Sequence, residues 1–363
     1  MASSSASIIK EEFEPQMQFP LHIPDSPAPS GYLANPYQSI ADIAHDMMDA
    51  SLASIQESHW QNAILSDGVA ILPSTRNMDH KENIPSVKGK SFIPNCRPIE
   101  VLACIHLFSY RLIWDVRMSS GRILQRYDYH NFLFYCVWRG IGPIYSPRDA
   151  VGIQDIRCWG PQGERQSLAL PNSQKIQIVW KSCIAPEVPI QEGKVRMDIE
   201  LGAYRIEWRP ELNGCDVTFV GEANLMTYIP TYIYKVFSME LPKVIGRLSG
   251  AMQRFGVPPY VLDLQDCVVI QTTFWHGETR SSKHRHHVRK PGSYSIMIDR
   301  QRMFPFGILQ PVVNGLGAHA VSLHEADDRI IVDVSALGVG QEYIIEVEPR
   351  EKEGDMNTNA GWW

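Results

Sequence analysis

The densest cluster of reactive side chains in this sequence is KHRHHVRK at positions 283–290. Its imidazoles, His284, His286 and His287, are of a type that holds metal ions, but a metal site needs converging ligands and a supporting shell around them. Here they are interleaved with Lys283, Arg285, Arg289 and Lys290, whose charges repel a metal ion. A solvated loop is the expectation. The alternative is a patch that docks onto anionic lipid headgroups, where each cation contributes about 1 kcal/mol. Asp155 and His130 are acid–base candidates, yet neither has a partner evident in the sequence. The seven cysteines, at 96, 104, 136, 158, 183, 215 and 267, contain no CxxC pair, so neither a zinc knuckle nor a disulfide framework is indicated. The sequence has no nucleophile elbow, phosphate loop or metal-binding helix motif. It reads as a non-enzyme, with no catalytic residue, metal or cofactor expected.

Composition sets the class. The chain has 363 residues, 44% hydrophobic and 20% charged, which is globular and long enough for two ordinary domains. No apolar run approaches the roughly 18 residues needed to span a bilayer. The N-terminus, MASSSASIIKEEFEPQ, lacks the long apolar segment of a signal peptide, so a cytosolic protein is expected. A net charge of −6 argues against nucleic acid as a general partner, because such binding relies on many cationic contacts.

Local patterns then supply the frame. Residues 1–36, rich in Ser, Pro and Ala, bury too little apolar surface to offset ordering and read as a disordered tail. From about Ser39, the residues Ile40, Ile43, Ala44, Met47, Met48, Leu52 and Ile55 recur at helical spacing. Residues 97–113 read as one or two short helices, and strand-like runs follow at 123–129 and 132–139. Met197, Ile199 and Leu201 alternate with polar residues, and after Gly202 so do Tyr204, Ile206 and Trp208. Ile176, Ile178 and Trp180 behave alike, as do Val217 and Phe219. Two-residue periodicity puts one face on a core, and several such strands in succession suggest a curved antiparallel sheet. A helical stripe from about 231 to 255 would cover it, kinked where Pro242 removes a backbone donor. After Gly256-Val257-Pro258-Pro259, short strand candidates with turn signals suggest a small β-sandwich over 257–350, then a polar tail over 351–363. Phe304-Pro305-Phe306 there is either an inserting wedge or ordinary core.

Two short motifs tie this frame together. Trp114-Asp115 ends a helical segment ahead of the paired strands, and Ser146-Pro147-Arg148-Asp149 follows a Gly/Pro-rich loop at 140–145. In that order and separation they resemble the START family of lipid-transfer domains, over about residues 39–255. The resemblance implies an α+β helix-grip fold, in which a curved antiparallel sheet grips a long C-terminal helix. Residues 37–256 would form that domain, followed by the all-β domain at 257–350.

The resemblance also implies a cavity for one lipid, phospholipid, sterol or similar. Its expected walls are Met197, Ile199, Tyr204, Ile206, Trp208 and Phe219, with Phe134 and Cys136 from one face of strand 132–138, a face that spacing leaves open. Val236, Phe237 and Val244 would come from the covering helix. In the sterol-binding branch a buried acid lies on that strand and an arginine follows S-P-R-D. Here those places fall at Tyr135 or Cys136 and at Gln154, so neither charge is kept and that mode of sterol binding is in doubt. Trp114, Asp115, Arg148 and Asp149 read as scaffold, the last two fixing the loop by charge-assisted bonds.

The mechanism implied is shielding. Exposing a 16-carbon chain to water costs about 13 kcal/mol, or about nine powers of ten in spontaneous exit. Loop 140–145 and the helix from Thr231, hinged near Pro242, would gate entry. Peripheral membrane contact through Lys283, Arg285, Arg289 and Lys290 and a protein partner for the β-domain are further expectations. The alternatives are a lipid-sensing adaptor and, less favoured, a grip-fold enzyme on a hydrophobic small molecule.

Overall fold

The structure, a computed structural model, describes residues 31–72, 83–140, 145–227, 231–264, 266–309, 311–315 and 318–350. It opens with helices α1 (Gln38–Ala53) and α2 (Glu57–Gln61) and strands β1 (Ile64–Ser66), β2 (Val69–Leu72) and β3 (Asn83–Pro94). Helices α3 (Pro98–His106) and α4 (Phe108–Trp114) follow. Pro98 at the first helical position and Glu100, whose carboxylate accepts from the Arg97 amide at 2.7 Å, start α3. Then come β4 (Met118–Arg126), β5 (Phe132–Trp138), β6 (Arg148–Trp159), β7 (Arg165–Gln166), β8 (Lys175–Ser182), β9 (Val195–Arg196), β10 (Asp198–Arg209) and β11 (Gly214–Asn224). Strands β1 to β11 form one sheet with the path β1-β2-β3-β11-β10-β8-β6-β5-β4, with β7 and β9 paired onto β6.

The alternation in the sequence changes parity between Ile199 and Tyr204, and the structure explains it. Residues 198–209 are one strand, and its pairing with β11 slips between Ile199 and Leu201. This β-bulge lets Met197 and Ile199 share a face with Tyr204 and Ile206. Gly202 is therefore not a turn. It lies opposite Trp180, and a Cβ there would sit 1.9 Å from the indole Nε1.

The sheet is covered on both faces. On one, α1 packs Ala44 and Met48 against Val179, Leu201, Ala203 and Val220. Ile43, expected in that stripe, is 50% exposed, and His45 takes an inward place instead. The opposite face meets α4 and the two helices α5 (Thr231–Glu240) and α6 (Val244–Phe255). The expected single kinked helix is thus broken outright at Leu241–Lys243, around Pro242. That break rides over β3, where a Cβ on Gly89 would lie 2.6 Å from Pro242 Cβ.

Beyond α6 the strands are β12 (Tyr260–Leu262), β13 (Val268–His276), β14 (Ser281–Val288), β15 (Ser293–Met297), β16 (Val312–Asn314), β17 (Ser322–Ala326), β18 (Arg329–Asp333) and β19 (Glu342–Val347). They form two separate four-stranded antiparallel sheets, β12-β15-β18-β17 and β13-β14-β19-β16. The two sheets meet where Tyr294 of β15 touches His286 of β14, with ring centroids 5.0 Å apart.

The expected solvated loop at 283–290 is a correction. Most of it is β14, an inner strand of its sheet, with His284, His286 and His287 buried and Lys283 and Arg285 turned outward. Strand alternation inverts the expected picture, because the imidazoles rather than the cations decide where the segment packs. Burial holds His284 down at about 4 and His286 well below the usual imidazole range, so both are neutral. Lys283 pairs with Glu346 at 3.2 Å and Arg289 with Asp266 at 3.8 Å, which offsets part of the expected cationic patch. Phe304 is core and Phe306 is half-exposed.

The seam expected after Gly256 is tightly packed. Tyr110 donates to Gly256 O at 2.5 Å, the Trp275 amide donates to Ser109 Oγ at 2.8 Å, His106 meets Tyr260 OH at 2.6 Å, and Glu100 pairs with Arg302 at 3.2 Å. All four anchor points lie on α3 and α4, and one buried apolar cluster runs through them from the large sheet into the two smaller ones. Of the expected tail, residues 1–30 lie outside the described residues. Beyond them, Tyr32 OH accepts from the Ile270 amide at 3.0 Å and Asn35 donates to Asn131 at 3.0 Å. The tail expected at 351–363 lies outside the described residues as well.

Candidate functional site

Where α5 and α6 cross the sheet, a cleft of about 120 Å³ remains between them. Its apolar wall is aromatic. Phe219 of β11 lies directly across from Tyr204 of β10, with rings 5.1 Å apart, and Tyr204 stands 5.4 Å from Trp180 of β8. Leu241, Val244 and Phe237 close the helical side, and Leu225 lies just past the end of β11.

The floor is charged. Arg111 of α4 reaches Asp115 at the end of the same helix through both Nε (3.0 Å) and an Nη (2.9 Å), and both side chains are more than nine-tenths buried. The guanidinium is also sandwiched near Trp180 and Trp114, with centroid distances of 5.0 and 5.4 Å. Trp114 packs as expected of scaffold, its indole donating to Cys104 O at 3.2 Å. Arg111, which sequence reading passed over, carries the only signal available for this floor: an Arg four residues before the Asp of the Trp-Asp motif. The Tyr204 hydroxyl is buried and has no hydrogen-bond partner among the described residues. Burial pushes its pKa up, so it remains a neutral donor.

At the mouth, Arg148 and Asp149 part company. Asp149 accepts from Arg196 at 2.8 and 3.2 Å and from Tyr135 OH at 3.0 Å, fixing β9 beside β6 on the outer face. Arg148 turns into the cleft, bonded to Ser146 O and, at 2.6 Å, to Thr227 Oγ1, with its guanidinium 3.6 Å above the Tyr145 ring. The loop expected to gate entry falls mostly on 141–144, outside the described residues.

Six of the sequence-derived candidates meet at this cleft: Met197, Ile199, Tyr204, Phe219, Phe237 and Val244. Phe134 and Cys136 are buried deeper in the same apolar cluster without lining the cleft. Phe134 lies against Phe108 of α4, and burial pushes the Cys136 thiol up to about 12, an inert group. Gln154 of β6, opposite Trp180, is buried with its amide nitrogen unpartnered among the described residues, and Ile206 is core. Trp208 lies nine residues along β10 from Ile199, roughly 30 Å away at strand rise. It lines a different space of about 200 Å³ with Pro98 and Gln174. Val236 is a correction. It is 51% exposed, because successive helical residues point about 100° apart and Phe237 takes the inward position.

The acid–base candidates lie elsewhere. Asp155 accepts from His45 Nε2 of α1 at 2.8 Å and from Asn131 at 2.9 Å, while Gln177 donates to His45 Nδ1 at 3.0 Å. These bonds hold α1 to the outer face. His130 is fully buried near His106 and held down at about 4 by burial. Among the described residues no cluster of His, Cys, Asp and Glu has metal-binding geometry, and no helix is long and apolar enough to cross a membrane.

No family model matches the chain, and no curated protein matches it in sequence. Among solved structures it is similar to human STARD10, at 17% identity over 57% of this chain and 78% of that one, with a TM-score of 0.45. It is similar to human StAR-related lipid transfer protein 5 at 16% identity, covering 60% of this chain and 96% of that one, TM-score 0.45. The lipid transfer and protein localization domain of human StarD13 matches at 16% identity over 61% and 98% of the two chains, TM-score 0.43.

Proposed function

We propose that this chain binds one hydrophobic ligand in the cleft between its large sheet and helices α5 and α6, and carries it shielded from water without transforming it. The observation that carries the reading is the aromatic wall of Trp180, Tyr204 and Phe219 facing Phe237 across a space that side chains do not fill. Apolar walls with a few fixed polar groups are the usual make-up of a small-molecule site, with the ionic floor and the Tyr204 hydroxyl as orienting groups. Binding rather than turnover is favoured because the described lining has no His, Cys or Ser, and its carboxylates are already engaged, Asp115 by Arg111 and Glu222 by Glu200.

At about 120 Å³ the cleft is smaller than the roughly 300–1,000 Å³ of typical ligand sites, so uptake requires the walls to part. The break at Leu241–Lys243 supplies a hinge, since α5 can swing without breaking hydrogen bonds inside α6. Native mass spectrometry of the protein purified from cells, followed by lipid extraction, tests the reading. A one-to-one adduct of lipid mass is expected. A clean apo mass with no uptake from mixed vesicles overturns it.

A second reading, a ligand-sensing adaptor, draws on α4. That helix places Arg111 in the cleft floor and presents Ser109 and Tyr110 to the smaller sheets, so a ligand that shifts it acts on both. Slow exchange of bound ligand together with altered protection of β13 in hydrogen exchange would favour sensing over transfer.

A further inference from the structure

The cleft is strongly cationic for a hydrophobic site. Arg111, Arg117, Arg139, Arg148 and Arg247 contribute to its lining, against the carboxylates of Asp115 and Glu222. Arg111 is matched by Asp115, and Arg247 by Glu240 at 3.4 Å. Among the described residues, no carboxylate lies within ion-pairing distance of Arg117, Arg139 or Arg148.

Two of these unmatched cations belong to one compact group at the mouth. Arg148 sits 3.6 Å over the Tyr145 ring, Tyr145 is 5.7 Å from Phe237, and Arg117 lies 5.1 Å from the other ring, Phe237. Arg148 is 3% exposed and its Nε has no acceptor among the described residues, although its other nitrogens are bonded. Burial lowers the pKa of both Arg117 and Arg148, the mark of a charge removed from water without full compensation. A desolvated guanidinium lacking a counter-charge is costly, and an incoming oxyanion would relieve that cost with charge-assisted hydrogen bonds.

We infer that the ligand is a single-chain amphiphile with an anionic head, a carboxylate or a phosphate monoester, held by Arg117 and Arg148 while its chain lies on the Trp180, Tyr204 and Phe219 wall. The inference rests on the cleft-binding reading. One chain is specified because a cleft of about 120 Å³ must widen even for that, and a second chain would require far more. The head is assigned to the mouth because the deeper cation, Arg111, is already neutralised by Asp115.

The test titrates the intact chain with three probes below their aggregation concentrations: oleate, a monoacyl phosphate monoester and neutral monoolein. The wild-type protein should take at least one anionic probe about tenfold or more tightly than monoolein, the gap expected of one charge-assisted contact. Arg117→Gln and Arg148→Gln should each close most of that gap by weakening the anionic probe. Arg254→Gln, which alters an exposed cation outside the cleft lining, should not. The tighter of the two anionic probes identifies the head as carboxylate or phosphate. Equal affinity for all three, or a gap that survives both substitutions, overturns the anionic-head inference and leaves the cleft reading in place. Binding of none of the three overturns the single-chain anionic inference, and the cleft reading falls with it only if the protein also takes up no lipid from mixed vesicles. Arg148 also ties Ser146 to Thr227, so Arg117→Gln, which removes one long 3.5 Å hydrogen bond to Arg139 O and the contact with the Phe237 ring, keeps the test decisive if the Arg148 variant fails to fold.

Discussion

Trp180 occupies the space that any side chain at position 202 would need. A Cβ on Gly202 would fall 1.9 Å from the indole Nε1, and the indole is held in turn by Arg111 at 5.0 Å and Tyr204 at 5.4 Å. Gly202→Ala therefore forces the ring off its rotamer or parts the strands. The expected cost is about 1–3 kcal/mol by urea denaturation, with a shift in tryptophan fluorescence. An unchanged midpoint would mean that the indole has room to move.

The Arg111–Asp115 pair makes a different prediction. Removing one partner leaves a buried charge, so Asp115→Ala should cost about 3–5 kcal/mol. Replacing both, Arg111→Met with Asp115→Leu, should recover most of the loss, because two desolvation penalties disappear together. A double-mutant cycle on unfolding free energies measures this, and strictly additive losses would contradict it.

Buried neutral histidines set the acid response. Burial depresses His45, His106, His130, His284 and His286, with His130 and His284 at about 4. Their folded pKa values lie below the ordinary 6.5, so below that pH the unfolded chain binds more protons and stability falls with acidification. The contribution is complete above about pH 6.5 and is lost toward pH 4. Between pH 6.5 and 5, His130 and His284 can each remove up to about 2 kcal/mol. Urea midpoints at pH 7.5, 6 and 5 should drop accordingly, and a flat profile over that range would show the imidazoles to be protonated in the folded state.

Neighbouring residues on α5 separate lining from surface. Val236 is 51% exposed and Phe237 is 6% exposed, facing Tyr145 at 5.7 Å. Val236→Ser should leave ligand uptake within about twofold of wild type, since surface substitutions are usually close to neutral. Phe237→Ala should weaken uptake of a matched fatty probe by about tenfold or more through lost apolar contact. Equal effects from the two would place the ligand elsewhere.

Much of this protein is legible without coordinates. Two-residue alternation marks β8, β10 and β11, because a strand with one face on a core must repeat with that period. Helical spacing marks α1 and the α5–α6 region, and Pro242 marks the break between them. Trp114-Asp115 and Ser146-Pro147-Arg148-Asp149 point to the part of the fold that holds the cleft. Other features needed tertiary structure, because each depends on partners distant in the chain. The parity change near Gly202 becomes a bulge only when β11 is laid beside β10. The histidine at 286 becomes core only once Tyr294 and Tyr343 pack against it. Position 148 faces the cleft and position 149 faces away, a difference invisible in a tetrad read as a unit. Arg111 joins the floor only because α4 crosses under Trp180. Local periodicity follows from neighbours along the backbone, so the sequence determines which face of each element is apolar. Which charges stay paired and which are stranded at a cleft is decided where elements meet, through desolvation and proximity that no single segment contains.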